Sequence, residues 1–592
     1  MNRFFILITI AFIGIFTIVS CKTDSKKAQV DFKRTENTLS IRLRAEADRL
    51  NPVLTTSNYA RQVVDQIFQY LLTIDPQTYE FIPQLAKARP TVQDITDGPW
   101  KGGVAYTYEI FEEAQWDNGT PITAQDFIFT LKAVFNPLVQ AQAFRAYLAF
   151  IKDVQVDPSN PKKFTVITNE KYILGEESIS NGFAIMPASI YDPQGLMNEI
   201  SLAELADPAK AEALAKSNEN LKQFAEAFNS EKYAREKGFV SGSGPYQFEE
   251  WQSGQKIVLT KKANWWGNKL SSKYPGLEAF PDKLEFLPIT DPAAVLAAVK
   301  AEEIDVVTEL DTKDFLDLRS LPFVQERYNF HTPPALAYNC IYINNKNPKL
   351  ADKRVRRALA HAIDIEEIIK TVYDGFGERT ALPLLPSSKD YDKNLKLVDY
   401  NVAKAKDLLQ QAGWKDTNNN GIVDKEINGE RVELTLGCQV SATSESGRNA
   451  ILLMQGTAKQ AGIGIEIIPK EFRVIMEDVR ADNHELAVGG RTIPPITWDP
   501  KQDWHSEGLA GGSNHANFEN AAADKLIDEI QVTLDDAKRA ELYKRFQAIL
   551  YDEQPFIFLF IPTNRILTHK RFEAQATSIL PGFVPNQIKL DL

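Results

Sequence analysis

The sequence predicts an α/β fold, because short apolar strands alternate with helices along most of the chain. The alternation is clearest from about residue 283. There a strand pattern over residues 284–287 is followed by a helix beginning at Pro292 and by a second strand pattern over residues 304–307. Such alternation is typical of α/β proteins with mostly open sheets. The 592-residue chain is 44% hydrophobic and 25% charged, which excludes wholesale disorder and leaves room for more than one domain.

The amino terminus has the pattern of a bacterial lipoprotein signal. A short positive start precedes an unbroken run of apolar residues, glycine and threonine over residues 4–19, which is short for a spanning helix. Residues 18–21 resemble a lipobox, in which Cys21 becomes the first mature residue and carries lipid. We therefore expect a signal peptide over residues 1–20 and a flexible tether over residues 21–35. An uncleaved anchor with an incidental cysteine is the alternative.

Strand and helix signals follow one another through the first half of the chain. Residues 104–110 alternate apolar and polar side chains, as a half-buried strand does. Thr123, with Asp126 three residues later, predicts a capping box at the start of a helix. Residues 192–238 are charged, rich in alanine and helical in pattern, so we expect a surface excursion there, followed by a loop over residues 241–245.

The second half of the chain continues the alternation. Helices are predicted over residues 450–461 and from Asp536 onward, and short strands over residues 465–468 and 485–488. Residues 556–561 form a continuous apolar run, which is typical of a strand covered on both faces.

The motif content of the sequence favours a binding protein over an enzyme. The net charge of −12 argues against nucleic acid as the main partner. The three cysteines, at positions 21, 340 and 438, are too far apart for a disulfide-rich scaffold or a cysteine-based zinc ribbon. No P-loop, zinc-protease helix or Gly-x-Ser-x-Gly elbow occurs, and the six histidines have no ligand spacing. We therefore expect no catalytic residues, no metal and no cofactor.

The stretch DTNNNGIVD over residues 416–424 resembles the start of a calcium-binding loop. The twelfth position of that loop is Ile427 and not the bidentate glutamate that such loops need. We therefore predict a solvated turn here, before a hairpin at Asn428 and Gly429.

Several other segments occur in the order of a known family. Residues 114–126 have the sequence AQWDNGTPITAQD, residues 241–251 have SGSGPYQFEEW and residues 352–364 have DKRVRRALAHAID. Together with shorter matches between about residues 50 and 572, they resemble the family 5 extracellular solute-binding proteins, which are the peptide-binding receptors of bacterial ABC importers.

The resemblance implies a two-lobed, periplasmic-binding-protein-like α/β fold (type II, cluster C) with an extra subdomain in lobe one. Lobe one is then expected over residues 36–287 plus 560–592, with the subdomain at about residues 66–180, and lobe two over residues 288–559. The ligand is expected in the cleft between the lobes, where closure excludes water and strengthens polar contacts.

The resemblance also implies that a peptide is held extended, with its main chain paired to the protein as an added strand. The segment from residue 489 to residue 491 follows a predicted strand and is expected to leave main-chain groups free, although a bulge or turn has the same pattern. Two other polar segments are candidates by position, and an ordinary turn or surface explains each about as well. The candidate contacts are Thr56, Ser57, Asn58, Tyr59, Tyr338, Asn339, Gly489, Gly490 and Arg491.

A free peptide amine needs a buried carboxylate, because an unpaired cation in a closed cleft is costly. Asp499 is the candidate, with Asp503 as a weaker one. Ile496 occupies the position of the family's usual amine-binding aspartate, so recognition of a free amine is left open. Trp498 is expected either to line a side-chain pocket or to pack in the core.

The sequence therefore predicts an extracytoplasmic, monomeric lipoprotein, anchored to a bacterial membrane through Cys21. It is expected to capture oligopeptides between two lobes and to deliver them to the permease subunits of an ABC transporter. The alternatives are binding of a non-peptide solute such as a sugar or a metal chelate, a membrane-anchored hydrolase that uses buried carboxylates, and a surface or assembly lipoprotein that keeps only the receptor fold.

Overall fold

The computed structural model describes residues 32–509 and 513–591 of the chain. Glu36–Leu592 cluster into one unit and Met1–Thr35 into another. The expected signal peptide, Cys21 and most of the expected tether lie outside the described residues. Within the described ranges, no helix is both long and apolar enough to cross a bilayer.

The strands are β1 (Thr38–Leu43), β2 (Leu72–Ile74), β3 (Phe81–Pro83), β4 (Thr91–Asp94), β5 (Val104–Glu109), β6 (Ile151–Asp157), β7 (Asn160–Thr168), β8 (Tyr246–Gln252), β9 (Lys256–Lys261), β10 (Lys283–Pro288), β11 (Val306–Val307), β12 (Tyr328–His331), β13 (Ala337–Ile343), β14 (Gly377–Arg379), β15 (Asp424–Ile427), β16 (Glu430–Glu433), β17 (Thr435–Ser441), β18 (Gly464–Lys470), β19 (Leu486–Thr492), β20 (Phe556–Pro562), β21 (Ile566–His569), β22 (Phe572–Glu573) and β23 (Lys589–Leu590).

The α-helices are α1 (Asn58–Ile67), α2 (Ala124–Phe135), α3 (Gln142–Leu148), α4 (Gly175–Ser180), α5 (Ala188–Tyr191), α6 (Leu202–Leu205), α7 (Pro208–Ser217), α8 (Glu219–Phe228), α9 (Lys232–Arg235), α10 (Pro292–Ala301), α11 (Thr312–Ser320), α12 (Pro322–Arg327), α13 (Lys353–His361), α14 (Ile365–Val372), α15 (Val402–Gln411), α16 (Glu445–Gln460), α17 (Phe472–Arg480), α18 (Lys501–Trp504), α19 (Ala521–Val532) and α20 (Asp536–Glu553).

A seven-stranded sheet in the order β12-β21-β11-β1-β10-β9-β8 organises the first part of the molecule. β1 lies at its centre, parallel to β10 along its whole length and parallel to β11 at one residue pair. Leu39, Ile41 and Leu43 of β1 are buried in one hydrophobic core with residues from β5, α2 and β7. We call the part built on this sheet, with strands between Thr38 and His331 and between Ile566 and His569, the first lobe.

A fully buried ion pair ties three distant segments of the first lobe together. Nε of Arg571 lies 2.7 Å from Oδ1 of Asp305, and both side chains are 1% exposed. Oδ2 of Asp305 accepts the main-chain N–H of Ser40, and Arg571 donates to the main-chain oxygens of Glu36 and Thr38. The carboxyl-terminal segment is thereby fixed beside β1.

The boundary expected at residue 287 does not follow this sheet. β11 and β12 lie beyond residue 287, yet they pair with β1 and β21 in the seven-stranded sheet. The change of pattern near residue 283 marks β10 and the crossover through α10 that a parallel strand pair requires. The chain passes to the strands of the second sheet only after His331.

A six-stranded sheet in the order β14-β20-β13-β19-β17-β18 organises the second part. Phe556 and Phe558 of β20 pack into one hydrophobic core, and Ile557 and Leu559 pack into another on the opposite face. The prediction that residues 556–561 form a strand covered on both faces is confirmed. We call the part built on this sheet, with strands between Ala337 and Pro562, the second lobe.

Two chain segments connect the sheets, and they run side by side. The first leads from β12 to β13 and the second from β20 to β21. Ala335 donates its main-chain N–H to Pro562 at 2.7 Å, and Asn564 donates to Pro333 at 2.8 Å. The segments therefore form a narrow, hydrogen-bonded pair.

A separate four-stranded sheet, in the order β4-β5-β7-β6, lies within residues 66–180, where the additional subdomain is expected. Its boundaries stay a prediction. The capping box of Thr123 and Asp126 is present at the start of α2 and confirms that prediction. Phe127 of α2 packs against Phe164 of β7 with ring centroids 4.8 Å apart, which seats the helix on this sheet.

The helices over residues 192–238 are more than a surface excursion. Leu221, Phe224 and Phe228 of α8 are at most 1% exposed and belong to the first-lobe core. These three residues recur at helical spacing and form an apolar face, although the segment as a whole is charged and rich in alanine.

The stretch that resembles a calcium loop forms a turn in which an acidic side chain is hydrogen-bonded to the main chain of the same loop. The Asp416 carboxylate accepts the main-chain N–H of Gly421 at 2.9 Å. β15 and β16 follow as a hairpin, in which Asn428 and Gly429 have φ of 54° and 86°. Positive φ at both positions is what a two-residue type I′ turn requires, so the predicted hairpin is confirmed.

Candidate functional site

Three adjoining cavities lie where the first lobe faces the second. The central cavity, of about 380 Å³, is lined from both lobes. The apolar cavity, of about 450 Å³, is lined from the first lobe, and the outer cavity, of about 310 Å³, is lined from both. Each volume is within the usual range of small-ligand sites. The residues that define the central cavity are Tyr147, Tyr172, Leu174, Glu177, Tyr338, Pro383, Arg491, Thr492, Pro494, Thr497, Trp498, Asp499, Gln502, Asp503 and Ser513.

A short segment of the first lobe brings the two lobes into contact beside these cavities. The main-chain N–H of Ile173 donates to the main-chain oxygen of Gln531 on α19 at 2.9 Å. The Ile173 side chain is 5% exposed and packs into a hydrophobic core of the second lobe. The lobes therefore touch through this segment while the cavities remain open beside it.

Acids outnumber bases among the side chains that line the central cavity. The guanidinium of Arg491 contacts the carboxylate of Asp503 and donates to the main-chain oxygen of Ser513 at 2.8 Å. Glu177 and Asp499 line the same cavity, and no other arginine or lysine among its described lining residues faces them. The cavity is therefore negatively charged when its acids are ionised.

Asp499 lines the central cavity, as a candidate ligand contact must, but its Oδ1 atom already accepts hydrogen bonds from the protein. Oδ1 accepts the main-chain N–H of Lys501 at 2.9 Å and a hydrogen bond from the Gln531 side chain. Burial raises the pKa of Asp499 above its usual value, and these two hydrogen bonds oppose the shift. Asp499 is thus a desolvated carboxyl held in a fixed orientation.

Glu177 of α4 lines all three cavities. It shares the lining of the central and outer cavities with Thr497, which belongs to the second lobe. Its Oε2 atom is buried and has no hydrogen-bond partner within the part of the chain that the structure describes. Burial raises the pKa of Glu177 to about 7, and the polar groups of the nearby Thr497 oppose this only in part.

The predicted glycine segment forms the end of β19, with one edge paired and the other open. Gly489 pairs with Cys340 and Gly490 pairs with Asn339 on β13. Pairing of β19 with β17 ends at Ala487, so beyond it the second edge of β19 has no strand partner among the described residues. Free main-chain groups of the kind expected at this segment are therefore available on one side only.

Gly489 is also required by packing. A Cβ atom at this position would come within 2.2 Å of the Tyr342 ring. The Tyr342 hydroxyl donates to the main-chain oxygen of Gly490 at 3.0 Å, which fixes the ring against the strand. The absence of a side chain at residue 489 is thus explained by the tyrosine ring.

Tyr338 and Asn339 occupy different environments on β13. Tyr338 lines the central cavity, is 2% exposed, and its hydroxyl has no hydrogen-bond partner in the described ranges. Asn339 is paired on both sides, with Gly490 and with Phe560, and does not line the cavity. Tyr338 is therefore the candidate that the structure brings to the site.

Of the predicted loop Thr56 to Tyr59, only Thr56 lines one of the three cavities, the apolar one. Ser57 caps α1 by accepting the main-chain N–H of Tyr59 at 3.2 Å. Asn58 is the exposed first residue of that helix. The Tyr59 hydroxyl donates to the Glu309 carboxylate at 3.2 Å. Helix capping thus accounts for Ser57 and the bond to Glu309 for Tyr59, while Asn58 faces solvent.

Trp498 both lines the central cavity and packs in the core. Its ring lies 5.5 Å from the Tyr543 ring and 5.6 Å from the Phe546 ring, and the residue is 5% exposed. Tyr543 also donates its hydroxyl to the main-chain oxygen of Trp498. The two expectations for this residue are therefore compatible.

The apolar cavity presents a hydrophobic surface to the cleft. Tyr147 is 59% exposed, and Phe144 and Leu148 line the same wall. The Arg61 guanidinium lies 5.4 Å from the centroid of the Phe144 ring. Such a wall is suited to an apolar ligand side chain, because burying it removes exposed hydrophobic surface from water.

Sequence reasoning missed Glu177, Tyr147 and Tyr172, which contribute the first-lobe wall of the central cavity. No short motif marks them, and only the chain topology places them opposite β19. An available signal was the acidic pair Glu176 and Glu177 in a short helix whose other residues are small or apolar.

The comparisons with known proteins agree with this geometry. The model for bacterial extracellular solute-binding proteins, family 5, matches residues 80–555. The oligopeptide-binding protein AppA of Bacillus subtilis (strain 168) is 27% identical over 479 residues, which cover 80% of this chain and 78% of AppA.

Two solved structures show the same fold. That of AppA from Bacillus subtilis in complex with a nonapeptide has a TM-score of 0.60 at 22% identity, covering 94% of this chain and 99% of that chain. That of HbpA2 from Haemophilus parasuis has a TM-score of 0.73 at 19% identity, covering 94% of this chain and 100% of that chain.

Proposed function

The chain belongs to the family 5 bacterial extracellular solute-binding proteins, and on this premise we propose that it captures oligopeptides between its lobes and delivers them to an ABC importer. The observation that carries the proposal is the position of the central cavity, which both lobes line at the open edge of β19. The similarity to a protein named for oligopeptide binding supports peptides as the ligand class.

The open edge of β19 supports an extended mode of binding. From Val488 onward, one edge of this strand lacks a strand partner within the described residues, and Arg491 and Thr492 at its end line the central cavity. A peptide main chain added at such an edge gains hydrogen bonds that do not depend on its side chains. The adjoining apolar cavity then receives one ligand side chain, which permits broad specificity.

The paired connections between the sheets support closure by a hinge. We place the first lobe at residues 36–331 and 566–591 and the second at residues 337–562. The segments between them are short and bonded to each other, so a few backbone torsions suffice to open the cleft. Opening admits the ligand, and closure removes it from water.

The lipid anchor and the route of delivery are the parts of the proposal that depend on sequence alone. Mass spectrometry of the amino-terminal peptide tests the anchor, with loss of residues 1–20 and lipid on Cys21 as the expected result. An intact Met1 start would support the uncleaved anchor instead. The protein is expected to release its ligand unaltered, so recovery of intact peptide distinguishes it from a hydrolase.

Ligand-dependent thermal stabilisation tests the ligand class. The lipoprotein, purified in detergent and freed of ligand by partial unfolding and refolding, is melted with a mixed peptide pool, with sugars and with a nickel–histidine chelate. At a free ligand concentration of 100 times Kd, binding to the folded state alone adds about 2.7 kcal/mol to the free energy of unfolding. Stabilisation by sugars or the chelate, without any by peptides, would refute oligopeptide capture.

A further inference from the structure

Residues 172–174 of the first lobe pack against the second lobe. The Ile173 side chain is 5% exposed and belongs to the hydrophobic core that includes Trp498, and Tyr172 and Leu174 pack against the same core. The main-chain N–H of Ile173 donates to the main-chain oxygen of Gln531, near the end of α19, at 2.9 Å. The segment therefore gives the other lobe both a buried apolar side chain and a hydrogen bond.

The second lobe makes a contact of the same kind in the opposite direction. Leu534, in the loop between α19 and α20, packs against the core of the first lobe. Leu534 and Ile173 line the outer cavity together with Phe81 of β3. We call residues 172–174 and residues 531–534 together the interlobe contact.

Both sides of the interlobe contact are held in place by their own lobe. The Tyr172 ring packs against the Phe150 ring with centroids 5.5 Å apart. On the other side, Nη1 of Arg539 donates to the main-chain oxygens of Thr533 and Leu534 at 3.0 and 3.2 Å. Because each surface is ordered within its own lobe, little conformational entropy opposes their association.

The interlobe contact has to separate when the cleft opens, because its residues line the cavities. The outer residues of the segment 172–174 line the central cavity, and its middle residue lines the outer cavity. A different pair of rings, Phe376 of the second lobe and Phe315 of α11, lies beside the connecting segments, since Arg565 is 5.9 Å from the Phe376 ring. Rotation about the connecting segments can keep that pair but must withdraw Ile173 from the second lobe.

Gln531 joins the interlobe contact to the wall of the central cavity. Its main-chain oxygen accepts the N–H of Ile173, and its side chain donates to Asp499, which lines that cavity. Ile173 itself lines the outer cavity and neither of the other two. Its effect on a ligand in the central or apolar cavity is therefore exerted through the position of the lobes.

We propose that the interlobe contact holds the lobes together without a contribution from the ligand, and that Ile173 and Leu534 are positioning residues for peptide binding. All groups of the contact come from the chain itself, so the contact forms before a peptide is bound. This assignment rests on the proposed function and adds a control of affinity to it. The contact sets the fraction of the protein that is closed in the absence of ligand.

The closed fraction enters the affinity directly. The apparent dissociation constant is the intrinsic constant divided by the fraction of protein in the binding-competent form. Shortening Ile173 or Leu534 favours the open form, so it should weaken every peptide by the same factor. A residue that contacted the ligand would instead weaken some peptides more than others.

Double electron–electron resonance measures the closed fraction on the purified lipoprotein after removal of ligand. Nitroxide labels are attached at Gln93→Cys on β4 and Lys538→Cys on α20, two exposed positions on different lobes. The cysteines of the described ranges, Cys340 and Cys438, are fully buried and should not react. The labelled protein should show a populated short distance without ligand, and saturating peptide should leave that distance alone.

Ile173→Ala and, in a separate protein, Leu534→Ala should each lower the ratio of the short to the longer distance about 10-fold. Saturating peptide should restore the short distance in both variants, which shows that they are folded. The matched control is Ile475→Ala on α17, because Ile475 is buried in the same core but belongs to the second lobe. It should lower the melting temperature and leave the ratio of distances unchanged.

Calorimetry measures the consequence for affinity. The probes are the peptides Ala-Ala-Phe-Ala-Ala, Ala-Ala-Lys-Ala-Ala and Ala-Ala-Glu-Ala-Ala. Each should bind Ile173→Ala about 3- to 10-fold more weakly than wild type, with the same factor for all three, and should bind Ile475→Ala as it binds wild type.

The outcomes separate this proposal from peptide capture. Equal distance distributions in wild type, Ile173→Ala and Leu534→Ala would refute the role of the interlobe contact while peptide capture stands. A loss of affinity confined to one peptide would refute it too, because it would make Ile173 a ligand contact. If the distances change as expected but neither these peptides nor the peptide pool binds, peptide capture is refuted and the contact between the lobes stands.

Discussion

Replacement of Glu177 by glutamine should change the pH dependence of stability even without ligand. Burial raises the pKa of this carboxyl from its ordinary value of 4.5 to about 7 in the folded protein. Between those values the folded state keeps a proton that the unfolded state has released. The free energy of unfolding therefore falls as pH rises through this interval, and the stabilising contribution is fully present only below about pH 4.5.

The magnitude follows from the size of the shift. One pKa unit corresponds to 1.36 kcal/mol, so this carboxyl lowers the stability of the folded state by at most about 3 kcal/mol above pH 7. The partial exposure of Glu177 makes this an upper bound. The glutamine variant lacks the titrating group, so its stability relative to wild type should increase from pH 5 to pH 8 by up to that amount.

Urea denaturation at pH 5 and pH 8 measures the effect. The control E176Q removes a carboxylate that is paired with Arg89 on a partly exposed surface, so it should lower stability by less than about 1 kcal/mol. A difference between E177Q and wild type that is the same at both pH values would refute the reasoning, because a group without a raised pKa gives no such dependence.

Three further substitutions test the fold and the cleft. Arg571→Met should lower the free energy of unfolding by about 3–5 kcal/mol in urea denaturation, because it removes the guanidinium that pairs with the buried Asp305 carboxylate. Gly489→Ala should lower the melting temperature through a loss of about 1–3 kcal/mol, since its Cβ would lie 2.2 Å from the Tyr342 ring. Tyr147→Ala should change stability by less than about 0.5 kcal/mol, yet weaken calorimetric binding of peptides with apolar side chains about 10-fold, because this exposed ring lines the cleft.

Matched variants separate these effects from general damage. Combining Arg571→Met with Asp305→Asn should recover part of the loss, and strict additivity would mean that the pair does not interact. Gly456→Ala, where a Cβ meets nothing within 4 Å in α16, should not destabilise. Phe472→Ala removes a ring that is 60% exposed and lines none of the three cavities, so it should leave peptide affinity unchanged.

Features that local residues determine were predictable from the sequence. The hairpin at Asn428 and Gly429 needs only two residues that tolerate positive φ, and the capping box needs only Thr123 and Asp126. The apolar run of β20 likewise follows from its own composition. For the hairpin and the helix cap, the free energy that selects the structure comes from contacts within a few residues along the chain, whereas β20 is recognised by its composition although distant segments bury it.

Features that depend on distant pairing were not predictable in the same way. Membership of β11 and β12 in the first sheet depends on β21, which follows more than two hundred residues later along the chain (Val306 pairs with Thr568). Glu177 is similar, because it lines the cavities together with Thr497, which lies on the other lobe. The local sequence around these strands or around Glu177 does not indicate the distant partner, which becomes evident only from the folded topology.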